Sequence, residues 1–195
     1  MYLLLLCSLT VAAIAIDRFL LYRRASQGAR ALEADVAAAL RKKKLDEVAP
    51  VVKGKDNMVA HLVQSAVDAR AAGEDVPMTL EAVYGEAAML LRARLNYLST
   101  IVTLAPLLGL LGTISGMIQS FSVFNLQAGQ PMAITGGIGE ALIATATGLL
   151  VAIFALVVHT YFAQRMDTML TLLEKTMNTL LAGFAANDGG RSHAS

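Results

Sequence analysis

The sequence is poor in the residue types on which small secreted domains and soluble enzymes depend. It has no tryptophan and one cysteine, Cys7, among 195 residues. One cysteine excludes a disulfide within the chain and a zinc site built from thiolates. Charged residues make up 16% of the chain, against about 25% in an ordinary soluble domain. The 16 basic and 15 acidic residues nearly cancel, so the net charge does not point to nucleic acid as a partner.

The motifs of common catalytic and metal sites are also missing. His61, His159 and His193 are far apart, and the sequence contains no HExxH and no GxSxG pattern. The glycine-rich stretches at 109–113 and 136–139 lack the lysine of a phosphate-binding loop. We therefore expect no enzymatic activity, no cofactor and no metal site.

What the sequence has instead is long apolar runs, since 56% of its residues are hydrophobic. Residues 95–164 carry a single formal charge, that of Glu140. A membrane-spanning helix needs about 20 apolar residues, so this run holds two spans separated by the polar, Gly- and Pro-containing stretch 125–131. We expect a second span within 95–124 and a third within 132–186, each with a cytoplasmic extension.

A first span is predicted at 1–22, where Met1–Ile16 is apolar and Asp17-Arg18 interrupts the run near its end. The alternative is a cleaved signal peptide, because Ala13-Ile14-Ala15 fits the small-x-small pattern. A signal peptide has its basic residues before the apolar core, whereas here they follow it. A retained span is therefore favoured. It is slightly short, so we expect either that its true start lies upstream or that Asp17 and Arg18 snorkel to the interface.

The basic residues near the span ends predict the orientation. Arginines and lysines cluster after the first span, before the second and after the third, and the 125–131 turn has none. Because cytoplasmic flanks are enriched in Lys and Arg, the N-terminus is predicted in the periplasm and the C-terminus in the cytoplasm. The basic residues concerned are Arg18, Arg23, Arg24, Arg30, Arg92, Arg94, Arg165 and Lys175.

Residues 23–94 are predicted to form a cytoplasmic helical domain. The Ala-rich segment 29–49 favours a helix that ends at Pro50, and Gly73 is expected to stop another helix. The basic run 41–44 is interpreted as a solvated helix face rather than a lipid contact, because acidic residues follow it. The polar tail 187–195 is predicted to be disordered. The fold class is thus an all-α integral membrane protein.

Glu140 is the residue whose position most strongly suggests a function. It lies about eight residues, or about 12 Å, into the third span. A carboxylate at that depth is costly unless it faces protein or water. Gly, Ala and Thr surround it, and small residues let helices approach closely. Threonine hydroxyls in such helices either contact water or bond to their own backbone carbonyls, and the sequence leaves both open.

Two segments resemble a known family. Residues 104–118, LAPLLGLLGTISGMI, and residues 138–153, IGEALIATATGLLVAI, are similar to the second- and third-span motifs of the MotA/TolQ/ExbB proton-channel family. The stretch from Leu6 to Ala25 resembles, more weakly, the first span of ExbB-type members. Three spans with an outside N-terminus agree with ExbB and TolQ rather than with four-span MotA.

The resemblance implies a homopentameric bundle in the bacterial inner membrane around two copies of an ExbD- or TolR-like single-span subunit with a transmembrane Asp. Proton flow through it would drive a TonB-like or TolA-like protein. The resemblance places Thr113, Thr145 and Glu140 on the proton path, and the polar Ser115 and Thr147 extend this predicted lining. The predicted helix-packing residues are Pro106, Gly109, Gly112, Gly116 and Gly148.

Other functions remain open at this stage. A TolQ-type subunit for envelope maintenance would share these features, and a non-conducting membrane scaffold would share the packing. A scaffold has no use for an intramembrane carboxylate, so Glu140 argues against it. A solute transporter is disfavoured because the sequence has no inverted repeat.

Overall fold

The computed structural model describes residues 2–42, 48–126 and 131–192, and all regular structure in these residues is α-helical. Hydrogen-bonded helices are what apolar, Ala- and Leu-rich runs form when no water is present to satisfy the backbone. The prediction of an all-helical protein is confirmed. The helices are α1 (Tyr2–Ser26), α2 (Ala29–Arg41), α3 (Val48–Val52), α4 (Met58–Ala72), α5 (Val76–Arg92), α6 (Leu95–Leu126) and α7 (Pro131–Ser192).

Three helical stretches are long and apolar enough to cross a membrane, namely Tyr2–Arg41, Val76–Ser122 and Gly136–Asn187. The predicted number of apolar helices of spanning length is therefore confirmed. Only 22%, 17% and 33% of their most apolar windows are buried within the chain. The chain thus leaves most of its span surface for lipid or other subunits to cover.

The chain divides into two compact units. The first, which we call the apolar unit, consists of the described residues within 2–18 and 94–163. The second, the helical domain, consists of Phe19–Ala93 and Gln164–Ser192 among the described residues. Helix α7 contributes to both units because it is continuous from Pro131 to Ser192.

The helical domain packs α2 to α5 and the second half of α7 around a leucine core. Asn57 caps α4 by accepting a hydrogen bond from the Ala60 N–H at 2.8 Å. Gly73 ends α4 in the left-handed conformation, with φ 72°, as its position after the helix predicts. The fully buried leucines of this domain are Leu32, Leu62, Leu80, Leu91, Leu173 and Leu180.

Charged side chains attach helix α7 to this core. The buried Glu33 carboxylate of α2 forms an ion pair with Lys175 of α7, with 3.2 Å between Oε1 and Nζ. The Arg70 guanidinium of α4 lies 4.7 Å from the centre of the Phe184 ring of α7. A buried carboxylate is tolerated only with such a partner. These contacts, together with the close approach of Leu40 to Gly183, hold the end of α7 in the domain.

One segment differs from the sequence-based expectation. Helix α2 ends at Arg41, and Pro50 lies in the first turn of α3, where its missing N–H costs nothing. Helix α7 is assigned as far as Ser192, and the disorder of the tail 187–195 stays a prediction. Residues 193–195, and residues 127–130 of the predicted turn, lie outside the described part of the chain.

In the apolar unit, Asp17 joins two arginines. Its carboxylate lies 2.9 Å from Nη1 of Arg94 and 3.1 Å from Nε of Arg18. Arg18 is buried, at 4% exposure, and the neighbouring carboxylate offsets the cost of burying its charge. Snorkelling of Asp17 and Arg18 to the membrane interface stays a prediction. Arg94 adopts a positive φ of 66°, and this residue separates α5 from α6.

Candidate functional site between helices α6 and α7

Helices α6 and α7 touch backbone to backbone at two glycines. A Cβ atom on Gly148 would lie 2.7 Å from the Ala105 carbonyl oxygen and 2.9 Å from the Gly109 Cα. A Cβ on Gly109 would lie 3.1 Å from the Thr145 Cα. These distances leave no room for a side chain at Gly148 and would force a neighbouring backbone atom to shift at Gly109. The close approach of the two backbones strengthens dispersion contacts between membrane helices.

The contact continues along both helices in opposite directions. A Cβ on Gly112 would lie 2.7 Å from the Ala144 Cβ, and one on Gly116 would lie 2.9 Å from the Ala141 Cβ. Residue numbers fall on α7 as they rise on α6, so the two helices are antiparallel. The structure therefore places the glycines that the sequence singled out along one helix–helix contact, with Pro106 half-buried beside it.

Thr145 is the polar link across this contact. Its hydroxyl donates a hydrogen bond to the Gly109 carbonyl of the other helix at 3.0 Å. Because the hydroxyl hydrogen is used, the oxygen lone pairs are left to accept a hydrogen bond from a further group. Thr145 is half-buried, so such a group has access from one side.

The other predicted hydroxyls bond within their own helices or face outward. Thr113 donates to the Leu110 carbonyl at 2.7 Å, and Thr147 donates to the Ile143 carbonyl at 2.8 Å. Both are half-buried, and Ser115 is exposed. Bonding to a carbonyl three or four residues back is common for threonine in helices. In each case the donor is occupied and the acceptor lone pairs remain available.

Glu140 does not share a side of α7 with Thr145. The two are five residues apart, which turns the helix by about 140°. Glu140 is instead two turns from Thr147, so these two share a face. That face is open in the single chain, where Glu140 and Ile143, about 60° away around the helix, are exposed. In the structure Thr145 thus contacts α6, whereas Glu140 and Thr147 lie on a different side of α7.

Ser120 is a contact residue that the sequence analysis missed. It is buried, donates to the Gly116 carbonyl at 2.8 Å and lies against Gly137 of α7. Its spacing of four residues after Gly116 continues the same helical face. This periodicity is the signal in the sequence by which Ser120 could have been found.

Comparison with known proteins identifies a family and several relatives. Residues 51–175 match the MotA/TolQ/ExbB proton channel family. The putative biopolymer transport protein ExbB-like 3 of Synechocystis is 32% identical over 159 residues, which cover 80% of this chain and 76% of that relative. ExbB-like 1 of the same organism is 55% identical over 65 residues, covering 31% of this chain and 26% of the relative.

A third relative is the Tol-Pal system protein TolQ of Pseudomonas aeruginosa. It is 33% identical over 108 residues, which cover 55% of this chain and 47% of TolQ. The chain thus aligns with about a quarter of ExbB-like 1 and less than half of TolQ. The family match covers well over half of the chain and includes both α6 and the first half of α7. The chain is therefore an integral membrane protein of the MotA/TolQ/ExbB proton channel family.

Proposed function

We propose that this chain is the proton-channel subunit of an ExbB–ExbD type motor in the bacterial inner membrane. The motor uses the proton motive force to energise a TonB-type protein for outer-membrane transport. The observation that carries the proposal is Glu140, an ionisable side chain deep in a span that a single chain leaves exposed.

Burial of Glu140 requires more than one chain. A charged side chain at the centre of a bilayer costs roughly 2.5–3.5 kcal/mol on insertion scales, so the carboxylate must face protein or water. In the single chain its side chain is exposed. A homopentamer around two ExbD- or TolR-like single-span subunits, in which α6 and α7 line the cavity and α1 faces lipid, supplies that cover.

The hydroxyls give this cavity a proton-conducting surface. Thr145 and Thr113 donate to backbone carbonyls, so each presents acceptor lone pairs to water and fixes the direction of the water's hydrogens. Ser115 and Thr147 extend the lining. A threonine cannot store a proton at neutral pH, so the partner's transmembrane Asp supplies the acid, and Glu140 adjusts the field near the periplasmic entry.

Labelling of introduced cysteines tests the orientation of the spans. In a Cys7→Ala background, a cysteine at Gly129 is expected to react with an impermeant thiol reagent from the periplasm. The reason is that residues 125–131 lack the Lys and Arg that are typical of cytoplasmic loops. A cysteine at Gly73 is expected to react only after the inner membrane is opened. The reverse labelling pattern would refute the proposed topology.

A TolQ-type role in envelope maintenance is the second candidate, and the similarity to the Pseudomonas aeruginosa TolQ favours it. The two roles differ in the process that the proton flow drives, so the phenotype of a deletion distinguishes them. A non-conducting scaffold, the third possibility, would need no intramembrane carboxylate.

Deletion of the gene tests the proposed function in cells. We expect loss of energised uptake across the outer membrane, restored by the wild-type gene and not by Glu140→Gln, which keeps the size of the side chain and removes its charge. An envelope that leaks while uptake stays normal assigns the TolQ-type role instead. Full rescue of either defect by Glu140→Gln identifies a scaffold and contradicts proton conduction.

A further inference from the structure

Helix α5 presents an apolar ridge on the side opposite its buried face. Leu80 and Leu91 point into the core of the helical domain, and the residues about half a turn away are Met78, Ala82, Gly85 and Met89. Met78 and Met89 are 73% and 71% exposed. A Cβ on Gly85 would meet nothing within 4 Å. We call these four residues the α5 ridge.

A groove of matching length lies elsewhere in the same domain, between α2 and the end of α7. Its volume is about 640 Å³. Its walls include Ala37 and Leu40 of α2 and the α7 residues from Thr171 to Gly183. Thr171 and Gly183 are about 18 Å apart along the helix, and the α5 ridge is about 16 Å long. We call this the α2–α7 groove.

The charges beside the two surfaces are also complementary. Glu81 and Glu86 are exposed and lie on opposite sides of the α5 ridge. Arg41 lines the groove from α2, and Lys175 lines it from α7, where it also pairs with Glu33. Glu174 is on the same wall of the groove as Lys175. A helix α5 that docks in this groove therefore meets one basic side chain on each wall, Arg41 on α2 and Lys175 on α7.

We propose that the α5 ridge of one copy docks in the α2–α7 groove of the next copy, antiparallel to α7. Glu81 then faces Arg41, and Glu86 faces Lys175. Two different surfaces that fit each other make a head-to-tail contact, which closes into a ring when the rotation per copy allows it. The inference rests on the ring of the proposed function and assigns its cytoplasmic interface.

The position of both surfaces along the sequence fits a ring whose axis is perpendicular to the membrane. Met89 lies six residues before Leu95, where the long apolar run begins, and Thr171 lies seven residues after Gln164, where it ends. In such a ring all copies lie at the same height. Surfaces that meet are therefore expected to start a similar number of residues from the apolar run, as these two do.

Disulfide trapping in the intact membrane complex tests the docking. In a Cys7→Ala background, Met78→Cys combined with Ala182→Cys is expected to give a ladder of linked copies after mild oxidation, because both positions lie at the same end of the docked helices. Neither single variant should do so. Met78→Cys with Asp68→Cys, an exposed position on α4 outside the groove, is the matched control pair.

A charge exchange adds an independent readout. Glu81→Arg is expected to lower the yield of the Met78–Ala182 link by up to about fivefold, the effect of an exposed ion pair, and Arg41→Glu in the same chain should restore it.

Native mass spectrometry of the same samples separates the two proposals. A pentamer without the link, or with α5-to-α5 links from Met78→Cys alone, overturns the docking only. A monomer overturns both proposals.

Discussion

Replacement of Gly148 by alanine is expected to push helices α6 and α7 apart and to destabilise the assembled protein. The added Cβ would lie 2.7 Å from the Ala105 carbonyl oxygen and 2.9 Å from the Gly109 Cα. Both obstacles are backbone atoms, so no rotamer change relieves the overlap. Overpacking costs about 1–3 kcal/mol in a well-packed core, and here it also lengthens the Thr145 hydrogen bond to Gly109. Thermal unfolding in detergent should show a clear loss of stability.

Gly136→Ala provides a matched control in the same helix. A Cβ on Gly136 meets nothing within 4 Å, and alanine favours a helix over glycine by about 0.5–1 kcal/mol. We expect this variant to be at least as stable as wild type. Equal stability of the Gly148→Ala and Gly136→Ala proteins would show that α6 and α7 do not pack as closely as the structure indicates.

Loss of the hydroxyls or of the carboxylate is expected to slow proton flow strongly. Thr113→Val and Thr145→Val keep the side-chain shape and remove the groups that orient water, and Glu140→Gln removes only the charge. If each raises the barrier by about 1.4 kcal/mol, proton flux falls about tenfold. Thr145→Val also removes the hydrogen bond to Gly109, so it should lower the unfolding temperature, whereas Thr113→Val should not.

Thr168→Val serves as the control for these substitutions. Thr168 is exposed in the helical domain and donates to the Gln164 carbonyl of its own helix, four residues back, at 2.8 Å. Thr113 donates in a similar way to a carbonyl of its own helix three residues back. It lies outside the apolar unit, so its loss should leave proton flux unchanged. If Thr113→Val and Thr168→Val behave alike, with both assembled, then the hydroxyl of Thr113 contributes only to its own helix.

The sequence predicts the spans and the small residues because both follow from periodicity and composition. Residues 95–164 carry only Glu140 as a charge, and Gly109, Gly112 and Gly116 recur at helical spacing. It does not predict the partner of a hydroxyl, because Thr145 and Thr147 have the same chemistry and differ only in the side of α7 on which they lie. Which one crosses to α6 depends on the packing of the two helices.

For the same reason, ion pairs between residues that are far apart in the chain cannot be predicted from the sequence. Glu33 and Lys175 are far apart in the sequence, and either could be an ordinary surface charge. Their contact exists because the second half of α7 packs against α2. The early end of α2 at Arg41 is likewise set by the fold of the domain, since Pro50 is accommodated in the first turn of α3.

Proton uptake into liposomes is the most direct test of the central claim that α6 and α7 line a proton path. The chain is reconstituted with its single-span partner, an inward proton gradient is applied, and the internal pH is followed with a trapped dye. We expect uptake with the wild-type chain and with Thr168→Val, and strongly reduced uptake with Glu140→Gln at equal assembly. Wild-type uptake by an assembled Glu140→Gln complex would contradict the account.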